Sequence, residues 1–171
     1  TGRKANLKPA AWIAGPPRTA VSATAPLGGC RQRSRNITKI AQAPASGDSL
    51  TFDGFGRLSN TNDLSALTLA GITLNSSAGA FSLGGNQVTL GGDILDNVPV
   101  LSEVISLPMA LNANRNANVA GGGFLTLSGV ISGGFALNKT GLGVLTLGGA
   151  NTFSGGTTIN QGTLAISSDG N

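Results

Sequence analysis

A chain of 171 residues with 27 glycines, one cysteine and no histidine has the length of one ordinary domain, and it excludes an internal disulfide and any histidine-based catalytic triad within its own span. Its charge is unevenly divided. Residues 1–46 carry eight of the eleven Lys and Arg and no acid, giving +8, whereas residues 47–171 carry three bases and seven acids, giving −4.

The leading segment, 1–46, also holds five of the seven prolines, the single Cys30 and the single Trp12. It shows no sustained apolar period of 2 or 3.6, so it reads as a disordered basic linker, or as codons read out of frame up to the abrupt change at Ala45-Ser46-Gly47. Its acid-free, Arg-rich composition would also suit a transit peptide or a basic tail. The cluster Arg31-Gln32-Arg33-Ser34-Arg35, with one distant aromatic to stack on bases, is too slight for a nucleic-acid partner to be expected. The arginines around Cys30 would lower its pKa, but a lone thiol in a flexible stretch needs no function. Ala10-Ala11-Trp12-Ile13-Ala14 is too short for a signal-peptide core, and no run approaches the ~20 apolar residues of a membrane helix. Opening on Thr1 without Met, the chain reads as a piece of a longer protein.

From Gly47 onward the pattern changes. Apolar-polar-apolar triplets recur at Leu67-Thr68-Leu69, Val88-Thr89-Leu90, Ile105-Ser106-Leu107, Leu125-Thr126-Leu127, Leu145-Thr146-Leu147 and Leu164-Ala165-Ile166, at intervals of 21, 17, 20, 20 and 19 residues. A repeat near this length is too long for one strand and too short for a strand-helix-strand crossover of about 30 residues. Turn residues fill the gaps, as in Gly84-Gly85-Asn86, Gly121-Gly122-Gly123 and Gly148-Gly149-Ala150-Asn151. Each repeat therefore contains two or three short strands.

The expected fold is all-β: a parallel β-helix, or solenoid, of roughly six rungs over 47–171, about 25 to 30 Å long at 4.8 Å per rung. A β-sandwich or antiparallel barrel would also use short Gly-punctuated strands, but neither supplies a reason for a recurring triplet. Because side chains alternate along a strand, Leu125, Leu127, Leu145, Leu147, Leu164 and Ile166 should line the core. Thr68, Thr89, Ser106, Thr126 and Thr146 should form an outward hydroxyl ladder.

The stretch 139–166 resembles the autotransporter-associated β-strand repeat, also called the passenger-associated transport repeat. The likeness is carried by Lys139-Thr140-Gly141, Leu145-Thr146-Leu147, Asn151-Thr152-Phe153-Ser154-Gly155-Gly156-Thr157-Thr158 and Gly162-Thr163-Leu164. The resemblance implies a bacterial passenger, secreted or displayed at the cell surface, whose β-helix is a stalk. It brings no catalytic, cofactor-binding or metal-binding residues with it.

Several fragments mimic chemistry. Gly47-Asp48-Ser49-Leu50 spells the motif of the GDSL esterases, but Ser49 lacks the histidine base those enzymes use, and it reads better as the start of the first rung. Lys139-Thr140-Gly141 echoes a penicillin-binding motif without a Ser-x-x-Lys to supply a nucleophile, so it reads as a turn. Oxygen groups at Asn60-Thr61-Asn62-Asp63 and at Asp93 with Asp96 would interest Ca²⁺, although Asn and Asp are ordinary turn residues. The acids Asp48, Asp53 and Asp63, or Asp93, Asp96 and Glu103, are the candidates for glycoside chemistry, but no Trp or Tyr accompanies them. The sequons at Asn36, Asn75 and Asn138 read as incidental in a bacterial chain.

The sequence thus favours a non-enzymatic stalk segment whose partners are further rungs of its own parent chain. A binding module, adhering to glycans, a host surface or like chains, is the alternative, and a β-helical carbohydrate enzyme the third.

Overall fold

The computed structural model describes residues 44–56 and 58–167. The expectations for Trp12, Cys30, the Arg31–Arg35 cluster and the sequon at Asn36 lie outside the described residues.

The chain winds as a series of short strands, three to a coil, that stack into three sheets. The first coil holds β1 (Ser49–Phe52), β2 (Ser59–Asn62) and β3 (Leu67–Leu69). The second holds β4 (Gly71–Leu74), β5 (Ser82–Gly85) and β6 (Val88–Leu90). The third holds β7 (Ile94–Asp96), β8 (Ser102–Ile105) and β9 (Met109–Leu111). The fourth holds β10 (Arg115–Val119), β11 (Phe124–Leu127) and β12 (Ile131–Ser132). The fifth holds β13 (Leu137–Thr140) and β14 (Val144–Leu147), with residues 151–154 closing its third side through Thr152 N–H to Ile131 O at 2.8 Å and Ser154 N–H to Gly133 O at 2.9 Å. A sixth turn begins with Ile159, which bridges Lys139, and continues in β15 (Thr163–Ile166). No helix occurs among the described residues.

Equivalent strands stack in parallel into three sheets. One has the order β1-β4-β7-β10-β13, the second β15-β14-β11-β8-β5-β2 and the third β12-β9-β6-β3. The expected solenoid is therefore present, with five coils and part of a sixth. Ser49 opens β1, as expected, and pairs with Gly71. Just ahead of it Ser46 Oγ accepts the Thr68 N–H at 3.1 Å.

The register corrects two expectations. The interval of 17 is a change of face: the triplets at Leu67 and Val88 lie in β3 and β6 of the third sheet, whereas Ile105, which ends β8, and the triplets at Leu125, Leu145 and Leu164 belong to the second. Along a single face Leu67 pairs Val88, Val88 pairs Met109 and Met109 pairs Ile131, while Phe124 pairs Val144 and Val144 pairs Thr163. The hydroxyl ladder accordingly splits. Thr68 and Thr89 stand side by side on the third sheet, Thr126 and Thr146 on the second, and Thr126 meets Val104 rather than Ser106. Two different faces carry the same local alternation, so the triplet alone does not distinguish them.

The core fills the space between the three sheets with Leu, Ile, Val and Phe from every coil. Phe52 and Phe81 pack with ring centroids 5.2 Å apart and planes tilted by 49°. Leu125, Leu127, Leu145 and Leu147 are buried as expected, and Leu164 is half-buried. Ile166, although it pairs with buried Leu147, is 57 % exposed because β15 is the outermost strand of its sheet among the described residues. Corners are tight enough that several glycines are obligatory. An added Cβ on Gly92 would stand 1.6 Å from Ala70 O, and Gly85 combines a φ of 111° with 2.2 Å to Asn62 O.

Candidate functional site

Among the described residues no nucleophile–base pair assembles around the esterase-like fragment. Ser49 lies in β1, and Asp48 is spent on structure, its Oδ2 accepting the Ala45 N–H at 2.9 Å. The Asp48, Asp53 and Asp63 set does not converge. Asp53 sits past the end of β1, where Oδ1 accepts the Gly54 N–H at 2.7 Å and the Ser77 hydroxyl, and Oδ2 accepts Asn75 Nδ2–H at 3.2 Å. Those bonds, Ser77 first and then Asn75 and Gly54, hold its carboxyl below the usual aspartate range. The result is a stitch between the first and second coils.

The two oxygen clusters that would interest a cation are likewise divided. Asn62 turns its amide inward, donating to Asn86 O at 3.0 Å and Leu64 O at 3.3 Å while Oδ1 accepts the Leu64 N–H at 3.1 Å. Asp93 accepts from Asn116 twice, through the backbone N–H at 2.8 Å and through Nδ2–H at 2.9 Å. Asn138 Nδ2–H continues that outer column at 3.5 Å from Asn116 Oδ1. Asp96 points the other way, into the core, where it meets Glu103. Among the described residues no group of three or more His, Cys, Asp or Glu is arranged to hold a metal ion.

What the sequence did not reveal is that polar residues at the corners are coil-to-coil latches. Lys139 was expected in a turn, but it lies in β13 and is fully buried. It replaces the aliphatic residue of a core column, pairing with Ala117, and its Nζ donates to Thr140 O at 2.7 Å, Gly141 O at 2.6 Å and Gln161 O at 3.3 Å. Burial holds the ammonium below the usual lysine range. Three carbonyls around one ammonium are a complete set of acceptors for its three protons. One of those carbonyls, Gln161 O, belongs to the next coil. Asn151, also buried, turns a corner similarly: its Oδ1 accepts the Ile131 N–H at 2.8 Å. Both residues fall in the motif segments singled out above, and their spacing from the apolar triplets was the available signal.

The outer surface carries two further features. The column Thr51, Thr73, Leu95, Asn118, Thr140 runs along the first sheet, uncharged throughout. At the corner joining the first and second sheets, Val100 and Leu142 are 74 % and 72 % exposed, with Phe124 half-exposed at the start of β11.

Comparison with known proteins agrees with this geometry. Residues 137–166 match the family model described as the passenger-associated-transport-repeat. Over 107 residues the chain is 34 % identical to a protein of Brucella suis biovar 1 (strain 1330) described as "Adhesin BmaC autotransporter". That alignment covers 61 % of this chain and 3 % of the adhesin, so the chain corresponds to a small part of that relative's length. No solved structure matches. The match begins with β13 and ends with β15, so its Lys, Asn and Gly positions are those that turn the corners and latch the fifth coil to the sixth. Residues 137–166 are a passenger-associated transport repeat, wound as the fifth coil and the start of the sixth of a parallel β-solenoid.

Proposed function

We propose that the chain is a structural stalk segment of an autotransporter-like passenger, displayed at a bacterial cell surface or released from it, and that it catalyses no reaction. The observation that carries this reading is the continuity of three parallel sheets through every coil up to the passenger-associated repeat. Each coil buries its apolar face only against its neighbours, so stability is a sum of nearest-neighbour terms and length can be adjusted a coil at a time. Among the described residues β15 has one unpaired edge, which fits a further rung of the parent chain as its partner.

Whole-coil deletion tests the reading in the parent protein. Removing residues 94–116 brings Ala117 to the position of Ile94, with which it pairs. Export, surface display and protease resistance should survive, with the tip brought about 4.8 Å closer to its base. Removing an odd half-coil, which throws inward side chains outward, should abolish protease resistance. Loss of a surface activity on whole-coil deletion, with display intact, would instead make the segment a binding module.

The exposed Val100, Phe124 and Leu142 favour self-association as a second reading, and the relative's description as an adhesin is consistent with it. In a light-scattering concentration series the wild-type chain should then show reversible growth in mass that Leu142→Ser suppresses. If both chains behave alike, this corner is not a contact between copies.

A further inference from the structure

Core columns in a solenoid repeat apolar residues coil after coil, which makes the exceptions informative. In the first sheet Leu74 pairs with Asp96 and Asp96 pairs with Val119. In the second sheet the place of Leu125 and Leu145 is taken, in the third coil, by Glu103. Two aliphatic columns are thus interrupted by acids in the same coil, and both acids are fully buried. Asp96 Oδ1 accepts the Val98 N–H at 3.0 Å, but among the described residues Asp96 Oδ2 and both Glu103 oxygens receive no N–H or O–H donor.

Among the described residues the surroundings supply no counter-charge. β4 and β5 below, β11 above, and β6 and β9 across the core contain no charged residue. β10 contributes only Arg115, whose guanidinium donates to Leu90 O at 3.2 Å and Asn112 Oδ1 at 2.6 Å. Asp93, beside β7, is engaged by Asn116, and the Lys139 ammonium by its three carbonyls. Two unscreened carboxylates in an apolar core are prohibitively costly, whereas one acid and one carboxylate joined by a proton satisfy each other.

We propose that Asp96 and Glu103 form a proton-sharing carboxyl pair that makes the third coil a pH-sensitive joint, closed in acid and loosened as the shared proton is lost. Glu103 is the donor and Asp96 Oδ2 the acceptor; loss of that proton to solvent leaves two facing carboxylates with nothing between them. Burial first, then the charge of Asp96 and the hydrogen bond to it, pushes the Glu103 carboxyl up to about 7 from an ordinary 4.5, and burial raises Asp96 as well. The sign follows. Between pH 4.5 and about 7 the folded chain holds a proton that the unfolded chain has released, so stability falls across that window and levels off above it.

Glu103 is the chain's sole glutamate, so ¹³C-glutamate labelling of the full chain yields one side-chain carboxyl signal. That signal should titrate well above 4.5; a midpoint at the ordinary value overturns the proposal. In parallel, amide exchange corrected for intrinsic rates should show β7 and β8 losing at least about tenfold more protection than β14 between pH 5 and pH 8. Glu103→Leu, which restores the leucine column, should remove that difference. Its persistence in Glu103→Leu would overturn the pair as the cause. If that variant does not fold, the labelled titration of the unaltered chain decides by itself.

Discussion

Gly92→Val should collapse the step between the second and third coils, lowering the urea midpoint by an amount equivalent to about 3 kcal/mol or more. The position has no room for any Cβ, because one would sit 1.6 Å from Ala70 O and 2.5 Å from Ala70 C, both backbone atoms that cannot rotate away. Relief requires separating two adjacent coils at a corner, which also strains the bonds Gly91 N–H to Leu69 O at 2.7 Å and Ile72 N–H to Asp93 O at 3.1 Å. Gly134 is the control. It too is a corner glycine, but an added Cβ meets nothing within 4 Å. Gly134→Ala should therefore change stability by no more than about 0.5 kcal/mol. Equal losses at the two positions would show that glycine is needed for backbone freedom in general and not for close approach at Gly92.

Lys139→Met should have the second large effect, and a localised one. Methionine matches the length of the lysine stem, so the core volume is kept while three hydrogen bonds to Thr140 O, Gly141 O and Gln161 O disappear. Losing three part-buried bonds from a charged donor costs on the order of 2 to 4 kcal/mol in total. Because Gln161 O belongs to the sixth turn, amide protection should be lost first in β15 and around Ile159, while β11 keeps its own. Uniform loss across all coils would mean that Lys139 supports the whole core and does not act as a latch.

These two positions also show where the sequence was legible. The solenoid could be read from it because alternation and glycine punctuation are local signals that survive in every coil, and the leucines of β11 and β14 fell where alternation put them. The third coil departs from that pattern for a physical reason. Its inward residues in β8 are Glu103 and Ile105, with Val104 turned outward, so the order there is polar-apolar-apolar. The next apolar-polar-apolar triplet, Ile105-Ser106-Leu107, stands two residues further on, so the pattern by itself passes over Glu103, whose carboxyl is buried. Lys139 escaped for a similar reason. A lysine in a Gly-rich motif looks like a solvated turn, and only the carbonyls gathered by the corner explain why its charge can be buried. The candidate acids could be counted in the sequence, but whether Asp93 and Asp96 face the same side depends on strand alternation at one particular corner.

The nearest-neighbour stacking has a kinetic corollary. Every strand pairing closes a loop of nearly the same length, as between Ser49 and Gly71, Val88 and Met109, or Phe124 and Val144. Loop-closure entropy depends on the length of the loop and not on the length of the chain, so each added coil meets the same entropic barrier as the one before it. Contacts never become more distant in sequence as such an array grows, and the slowing of folding that accompanies distant contacts does not accumulate. A very long passenger assembled this way can organise itself at a steady rate per coil, directionally, from whichever end first presents a finished edge.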